Sequence, residues 1–227
     1  MKTLAAAKAI RVPKVYLTGV TGRFSWIAME YVEFEGSTRA GHSALGAQLA
    51  RQHRVTNDRF GFECDNTIGS TPQPNDYHES WVEFWRDRRL GFQFALAARA
   101  GAPFKGADQL LAALPEFFDN YTPEPSLLHG DLWSGNVAFS SGNQPIVFDP
   151  AVYYGDREAE FGIITMFGGF DPAFFEAYED AYPFEPGSEK RRDLYLLYHQ
   201  LNHFNLFGSS YREGVRSTIG RLLKALR

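Results

Sequence analysis

The chain has 227 residues, 44% of them hydrophobic and 15% aromatic, enough apolar side chain for one sizeable core and too much for a disordered segment. A formal net charge of -4 without a long basic run argues against nucleic acid as a partner. No run of about 18 apolar residues occurs, so no membrane span is expected. The single cysteine, Cys64, can form neither an internal disulfide nor a Cys/His zinc site, which fits a reducing, cytoplasmic setting.

Residues 1–15, broken by Lys8, Arg11 and Pro13, do not read as a signal peptide. Residues 4–10 read as the last turns of a helix that Pro13 stops. Residues 14–18 and 25–32 are β-rich, and Gly19 and Gly22 predict the hairpin turn between them. Helical apolar spacing follows over 42–54, at Leu45 and Leu49. Residues 58–76 are rich in Gly, Asn, Pro and Thr and read as a long loop, of a length that tends to be functional in a compact domain. A strong helix spans 81–100, with Trp81, Phe84 and Trp85 at core spacing and Arg86, Arg88 and Arg89 on a solvated face. Another helix spans 107–118, and 127–129 is a short apolar lead into a turn. Strands at 137–139 and 145–148 flank Ser140-Ser-Gly-Asn143, a hairpin signal. Helices then fill 157–166, 172–182, 190–207 and 213–226. The order is an α+β reading dominated by helices.

The segment richest in chemistry is HGDLWSGN at 129–136, followed by IVFD at 146–149. Asp131 and Asn136 stand at the two ends of one tight loop. Asp149 ends a strand that the hairpin folds back beside Asn136. Three oxygen-bearing side chains therefore converge, and such ligands suit Mg2+, whose shell is completed by water and substrate phosphates. Phosphoryl transfer needs such a metal, and a carboxylate to take or orient the proton of the attacking hydroxyl. The spacing gives Asp131 the position of the base and gives Asn136 and Asp149 those of metal ligands.

These residues resemble the fructosamine-3-kinase (ketosamine kinase) family, related to aminoglycoside phosphotransferases. HGDLWSGN resembles that family's catalytic loop, with Trp133 as its distinguishing residue, and FDPAVYYGDREAEFG at 148–162 its metal-binding segment. GFECDNTIGSTPQPN at 61–75 with ESWVEFWRDRRL at 79–90 resembles its insertion and helix, and LYHQLNHFNLFGSSY at 197–211 its C-terminal helix. The resemblance implies a protein-kinase-like fold with an incomplete small N-terminal lobe (residues 1–36: a helix end, two strands and a hinge) and a mainly helical large lobe (37–227). It implies ATP and Mg2+ as cofactors, and transfer to the 3-hydroxyl of a small-molecule ketosamine or glycated amine, a deglycation step. By position, Met29, Glu30 and Tyr31 would form the hinge whose backbone meets the adenine, and Trp133 part of a sugar platform. A glycine-rich phosphate loop and its strand lysine are expected ahead of such a hinge, and Gly19 and Gly22 do not supply them. The chain is thus expected to be a fragment, a misassigned start or a shortened protein. Two alternatives stay open: a non-catalytic kinase-like binding module, and a kinase for another amine-bearing acceptor such as an aminoglycoside.

His199 and His203 share a helix face and are read as packed or substrate-facing rather than zinc-binding. Asp156 is expected to cap the helix at Arg157 and brace the 129–136 loop. His129 is expected to hold that loop structurally. Ser134 has no His/Asp relay and is not a nucleophile candidate. The exposed edge of the 14–32 hairpin predicts self-association.

Overall fold

The computed structural model describes residues 1–226. A short helix, α1 (Lys2–Ala7), leads into the antiparallel hairpin of β1 (Val15–Thr21) and β2 (Phe24–Met29). The turn lies at Gly22 and Arg23, not across Gly19 to Gly22 as the sequence suggests. Gly19 is a strand residue opposite Trp26, and a Cβ there would sit 2.3 Å from the indole. Gly22, at φ 61°, supplies the positive φ that a two-residue hairpin loop requires. The base of the hairpin is tied by Glu30, whose carboxylate accepts from Arg11 at 2.6 Å and from the Lys14 N–H at 3.1 Å.

Helix α2 (Arg39–His53) starts one turn earlier than its apolar spacing suggests, because the Thr38 hydroxyl caps it by accepting the Gly41 N–H at 3.0 Å. The 58–76 segment is not plain loop. It folds β3 (Asn66–Ile68) and β4 (Thr71–Gln73) into a small hairpin. Three-residue strands carry too few positions to show a period, and side-chain amides fix this hairpin in place of an apolar face. Helix α3 (Trp81–Phe84) runs through a π-helical stretch (Trp85–Leu90) into α4 (Gly91–Arg99). A 3-10 turn (Leu114–Phe117) extends α5 (Ala107–Ala113).

Two further antiparallel pairs hold the centre: β5 (Ser126–Leu128) with β8 (Tyr153–Gly155), and β6 (Val137–Ser140) with β7 (Gln144–Val147). A 3-10 turn (Arg157–Glu160) opens α6 (Phe161–Phe167), followed by α7 (Pro172–Ala181), α8 (Ser188–Phe207) and α9 (Arg212–Ala225). Among the described residues no helix is long and apolar enough to cross a membrane.

Burial divides the apolar residues into two large clusters. One gathers Trp81, Phe84, Trp85, Leu194, Tyr195 and Leu201 from α3 through α8. The other gathers Leu45, Leu49, Phe161, Phe174 and Tyr178 between α2, α6 and α7. Leu128 and Tyr153 belong to the first, Phe139 and Val147 to the second. The two central strand pairs thus straddle the clusters, and the loop joining β5 to β6 sits where the clusters meet. The N-terminal hairpin is attached to the same place: Val147 N–H donates to Arg11 C=O at 3.0 Å, and Glu35 N–H to Phe139 C=O at 2.8 Å.

Candidate active site

The 129–136 loop is held from both sides. The buried Glu160 carboxylate accepts the N–H of His129 at 2.6 Å and of Gly130 at 2.9 Å. The His129 ring accepts the Asp131 N–H on Nδ1 at 3.3 Å and, through Nε2–H, donates to the Phe148 carbonyl at 3.0 Å. One donor and one acceptor make it a neutral imidazole, and its burial pushes the pKa down. Gly130 takes φ 82°, and a Cβ there would lie 2.1 Å from the Ala151 carbonyl oxygen, so only glycine lets the loop lie on the segment leading into β8.

Asp131, Asn136 and Asp149 meet at one point. The Asn136 side-chain amide donates to the Asp131 carbonyl at 2.9 Å, to Asp131 Oδ2 at 3.3 Å and to the Asp149 carbonyl at 3.3 Å. The β6–β7 register, pairing Val137 with Val147, brings the two ends together, and Phe148 N–H donates to the Asn136 carbonyl at 3.2 Å. Asp149 is exposed and takes a left-handed φ of 52°, uncommon for a non-glycine residue.

Asn136 turns its nitrogen toward Asp131, and among the described residues its Oδ1 accepts no protein hydrogen bond. With the Asp149 carboxylate it offers two hard oxygen donors, a set that fits Mg2+. No group of three or more His, Cys, Asp or Glu that could hold a metal occurs among the described residues. Burial, then the nearby Glu160 charge, raises the Asp131 pKa to about 7. Burial works against the Glu160 charge as well, but the His53 contact and the loop N–H groups outweigh it and hold that carboxyl below its usual range.

Trp133 is 37% exposed at the loop surface, and its ring lies 5.6 Å from that of Phe167 at the end of α6. On the far side of the loop the β3–β4 hairpin is fixed by amides: Asn66 donates to the Val152 carbonyl at 2.8 Å, Gln73 to the Ala151 carbonyl at 3.1 Å, and the Tyr198 hydroxyl to Gln73 Oε1 at 2.7 Å. Met29 ends β2, the Glu30 N–H is spent on the Lys14 carbonyl at 2.8 Å, and Tyr31 is 88% exposed. The chain then reaches Phe34, whose ring stacks on Phe148 at 5.9 Å and 7°, so the segment after β2 runs beside the residue preceding Asp149.

Several expectations are corrected. Asp156 caps the turn at Arg157, accepting the Glu158 N–H at 2.9 Å, but its oxygens go to the hydroxyls of Tyr121 and Tyr195 and not to the 129–136 loop. Glu160 braces that loop, a role the sequence reading missed. His199 does not face a cleft: it is 3% exposed beneath Gly162, and its pKa is pushed down to about 3 by burial. His203 is half-buried among Phe167, Phe207 and Tyr211. Arg89 is fully buried instead of solvated. It donates to the Pro74 carbonyl and to Asn75 Oδ1, each at 2.7 Å, with the rings of Tyr153 and Phe84 at 4.1 and 4.5 Å. It stands four residues after Trp85 and eight after Trp81, on the face those rings bury, so its charge and not its spacing suggested a solvated position.

A mainly helical lobe that presents an Asp-x4-Asn loop and, after a β-hairpin, an Asp beside it defines a protein-kinase-like phosphotransferase. The family model for fructosamine kinase matches residues 1–225, and the chain belongs to that family. It is 45% identical over 234 residues to the chloroplastic protein-ribulosamine 3-kinase of Arabidopsis thaliana, covering 100% of this chain and 71% of the relative. A crystal structure from Haemophilus somnus, assigned as a fructosamine-3-kinase, superposes with a TM-score of 0.91 at 28% identity, over 98% of this chain and 76% of that one. An ADP-bound aminoglycoside phosphotransferase shares the fold, with a TM-score of 0.53 at 16% identity over 98% of this chain and 78% of the other.

Proposed function

We propose that this chain carries the phosphoryl-transfer centre of an ATP- and Mg2+-dependent kinase acting on the 3-hydroxyl of ketosamines, a deglycation enzyme. The convergence of Asp131, Asn136 and Asp149 on one point, in a chain of the fructosamine kinase family, carries the reading. Asp131 Oδ accepts the proton of the attacking 3-hydroxyl, and a pKa near neutrality suits that transfer. Asn136 Oδ1 and the Asp149 carboxylate hold Mg2+, which when bound neutralises charge on the transferring phosphoryl group. Glu160 and His129, which do not touch substrate, keep the loop in place and so keep the base oriented. Residues 1–36 form part of the nucleotide-side lobe, with the backbone of Met29, Glu30 and Tyr31 against the adenine, and 37–227 form the acceptor-side lobe. Trp133 is the platform for the sugar. A cytoplasmic location belongs to the same reading, since Cys64 is free and exposed and a reducing compartment preserves such a thiol.

An acceptor panel tests the substrate class. With ATP and Mg2+, fructose-lysine or ribulose-lysine is expected to yield a 3-phosphate visible by phosphorus NMR, while an aminoglycoside and a simple amino alcohol yield none. Phosphorylation of the aminoglycoside alone would overturn the ketosamine assignment while leaving the phosphotransferase intact.

A further inference from the structure

Exposed aromatic residues on a protein surface are usually scattered singly. Here five rings form one connected run that begins at the 129–136 loop. Trp133 lies 5.6 Å from Phe167, Phe167 lies 5.1 Å from His203, and His203 lies 5.4 Å from Phe207 and 5.2 Å from Tyr211. Phe207 and Tyr211 are 6.2 Å apart. Trp133 is 37% exposed, Phe167 42% and Phe207 64%. His203 and Tyr211 are half-buried between and beside them. The outer end of the run is bordered by the β3–β4 turn, where a Cβ on Gly69 would come 3.1 Å from Leu206 of α8.

We propose that Trp133, Phe167, His203, Phe207 and Tyr211 form a binding track for the substituent on the acceptor's amine, and that the track favours amines carrying an aromatic group, such as a glycated lysine next to an aromatic residue in a peptide. The proposal rests on the reading of Asp131 as the base and extends it. In a ketosamine the amine sits two carbons from the carbon bearing the 3-hydroxyl. Once that hydroxyl is at Asp131, the substituent beyond the nitrogen must leave the loop along a nearby surface, and the aromatic run starts two residues away at Trp133. The nitrogen is a secondary amine, cationic near neutral pH, and ring faces attract a cation. A planar side chain beyond it finds Phe207 and Tyr211 to stack against.

Calorimetry can measure the affinity of two acceptors: fructose-lysine, and a short peptide in which the same glycated lysine is followed by Trp. The native chain is expected to bind the peptide about 3- to 10-fold more tightly. Phe207→Ser should weaken binding of the peptide more than that of fructose-lysine and so remove the preference, and Phe207→Tyr should restore it. Phe207 is mostly solvent-exposed, so these variants leave the core untouched. Equal affinity for the two acceptors, or a preference that survives Phe207→Ser, overturns the track alone. If neither acceptor binds, with or without ATP and Mg2+, both the track and the ketosamine assignment fall.

Discussion

Asp131 is both the proposed base and a local cost to stability. Its pKa in the folded protein is about 7, against 3.8 for the ordinary side chain, because burial and then the Glu160 charge disfavour ionisation. The folded state therefore holds a proton that the unfolded chain releases. The stabilisation this brings is fully present below about pH 4 and is lost as pH rises to about 7. In the presence of a chelator, Asp131→Asn is expected to melt at a higher temperature than the native chain at pH 8, with the gap closing toward pH 4. A gap that stays constant across this range would show that Asp131 ionises normally. Asp131, Asn136 and Asp149 were legible as a set because the chemistry lies within a short stretch, joined by one hairpin with a plain turn signal. Glu160 was not legible. Its two bonds are made to backbone N–H groups of His129 and Gly130, and nothing in the sequence marks which carboxylate will reach a main chain some thirty residues away.

The β3–β4 hairpin illustrates how an element without an apolar face can still be fixed. Asn66, Gln73 and Asn75 join it to the segment leading into β8 and to the buried Arg89. Arg89→Met keeps the bulk but leaves the Pro74 carbonyl and Asn75 Oδ1 without their donor. The expected loss is on the order of 3 kcal/mol in urea unfolding, since each buried acceptor left unpaired costs about 1–3 kcal/mol. Arg89→Lys should recover little, because an ammonium cannot reproduce the planar fork. A loss below about 0.5 kcal/mol for Arg89→Met would mean the hairpin is held by other contacts. The long helices were readable from their apolar spacing, and Trp81, Phe84 and Trp85 are buried as that spacing implies. The burial of Arg89 was masked by its charge although it shares the face of Trp81 and Trp85, and the pairing of β5 with β8 was not readable because three-residue strands leave no periodic trace.

Across the whole molecule the contrast is between the packed helical body and the N-terminal hairpin. Tyr16, Leu17, Val20, Phe24, Trp26 and Ile27 are each at least 45% exposed, and among the described residues β1 and β2 pair only with each other. An apolar two-stranded ribbon with free edges is a template for pairing with another chain. Sedimentation velocity is expected to show concentration-dependent self-association of this 227-residue chain. A single monomeric boundary at high concentration would contradict that expectation. The order of hairpin, helices, polar hairpin and helices gave an α+β class at this scale, and the kinase-like class came from the 129–149 constellation and the family resemblance it carries.

The most direct test of the account is ATP turnover by this chain with Mg2+ and fructose-lysine, run beside Asp131→Asn. The account predicts ADP release that depends on both the metal and the acceptor and falls at least 100-fold in the variant, the low end of what a positioned base contributes. A folded chain that binds the acceptor but releases no ADP, or one whose turnover is unchanged by Asp131→Asn, would contradict it and leave a kinase-like binding module in its place.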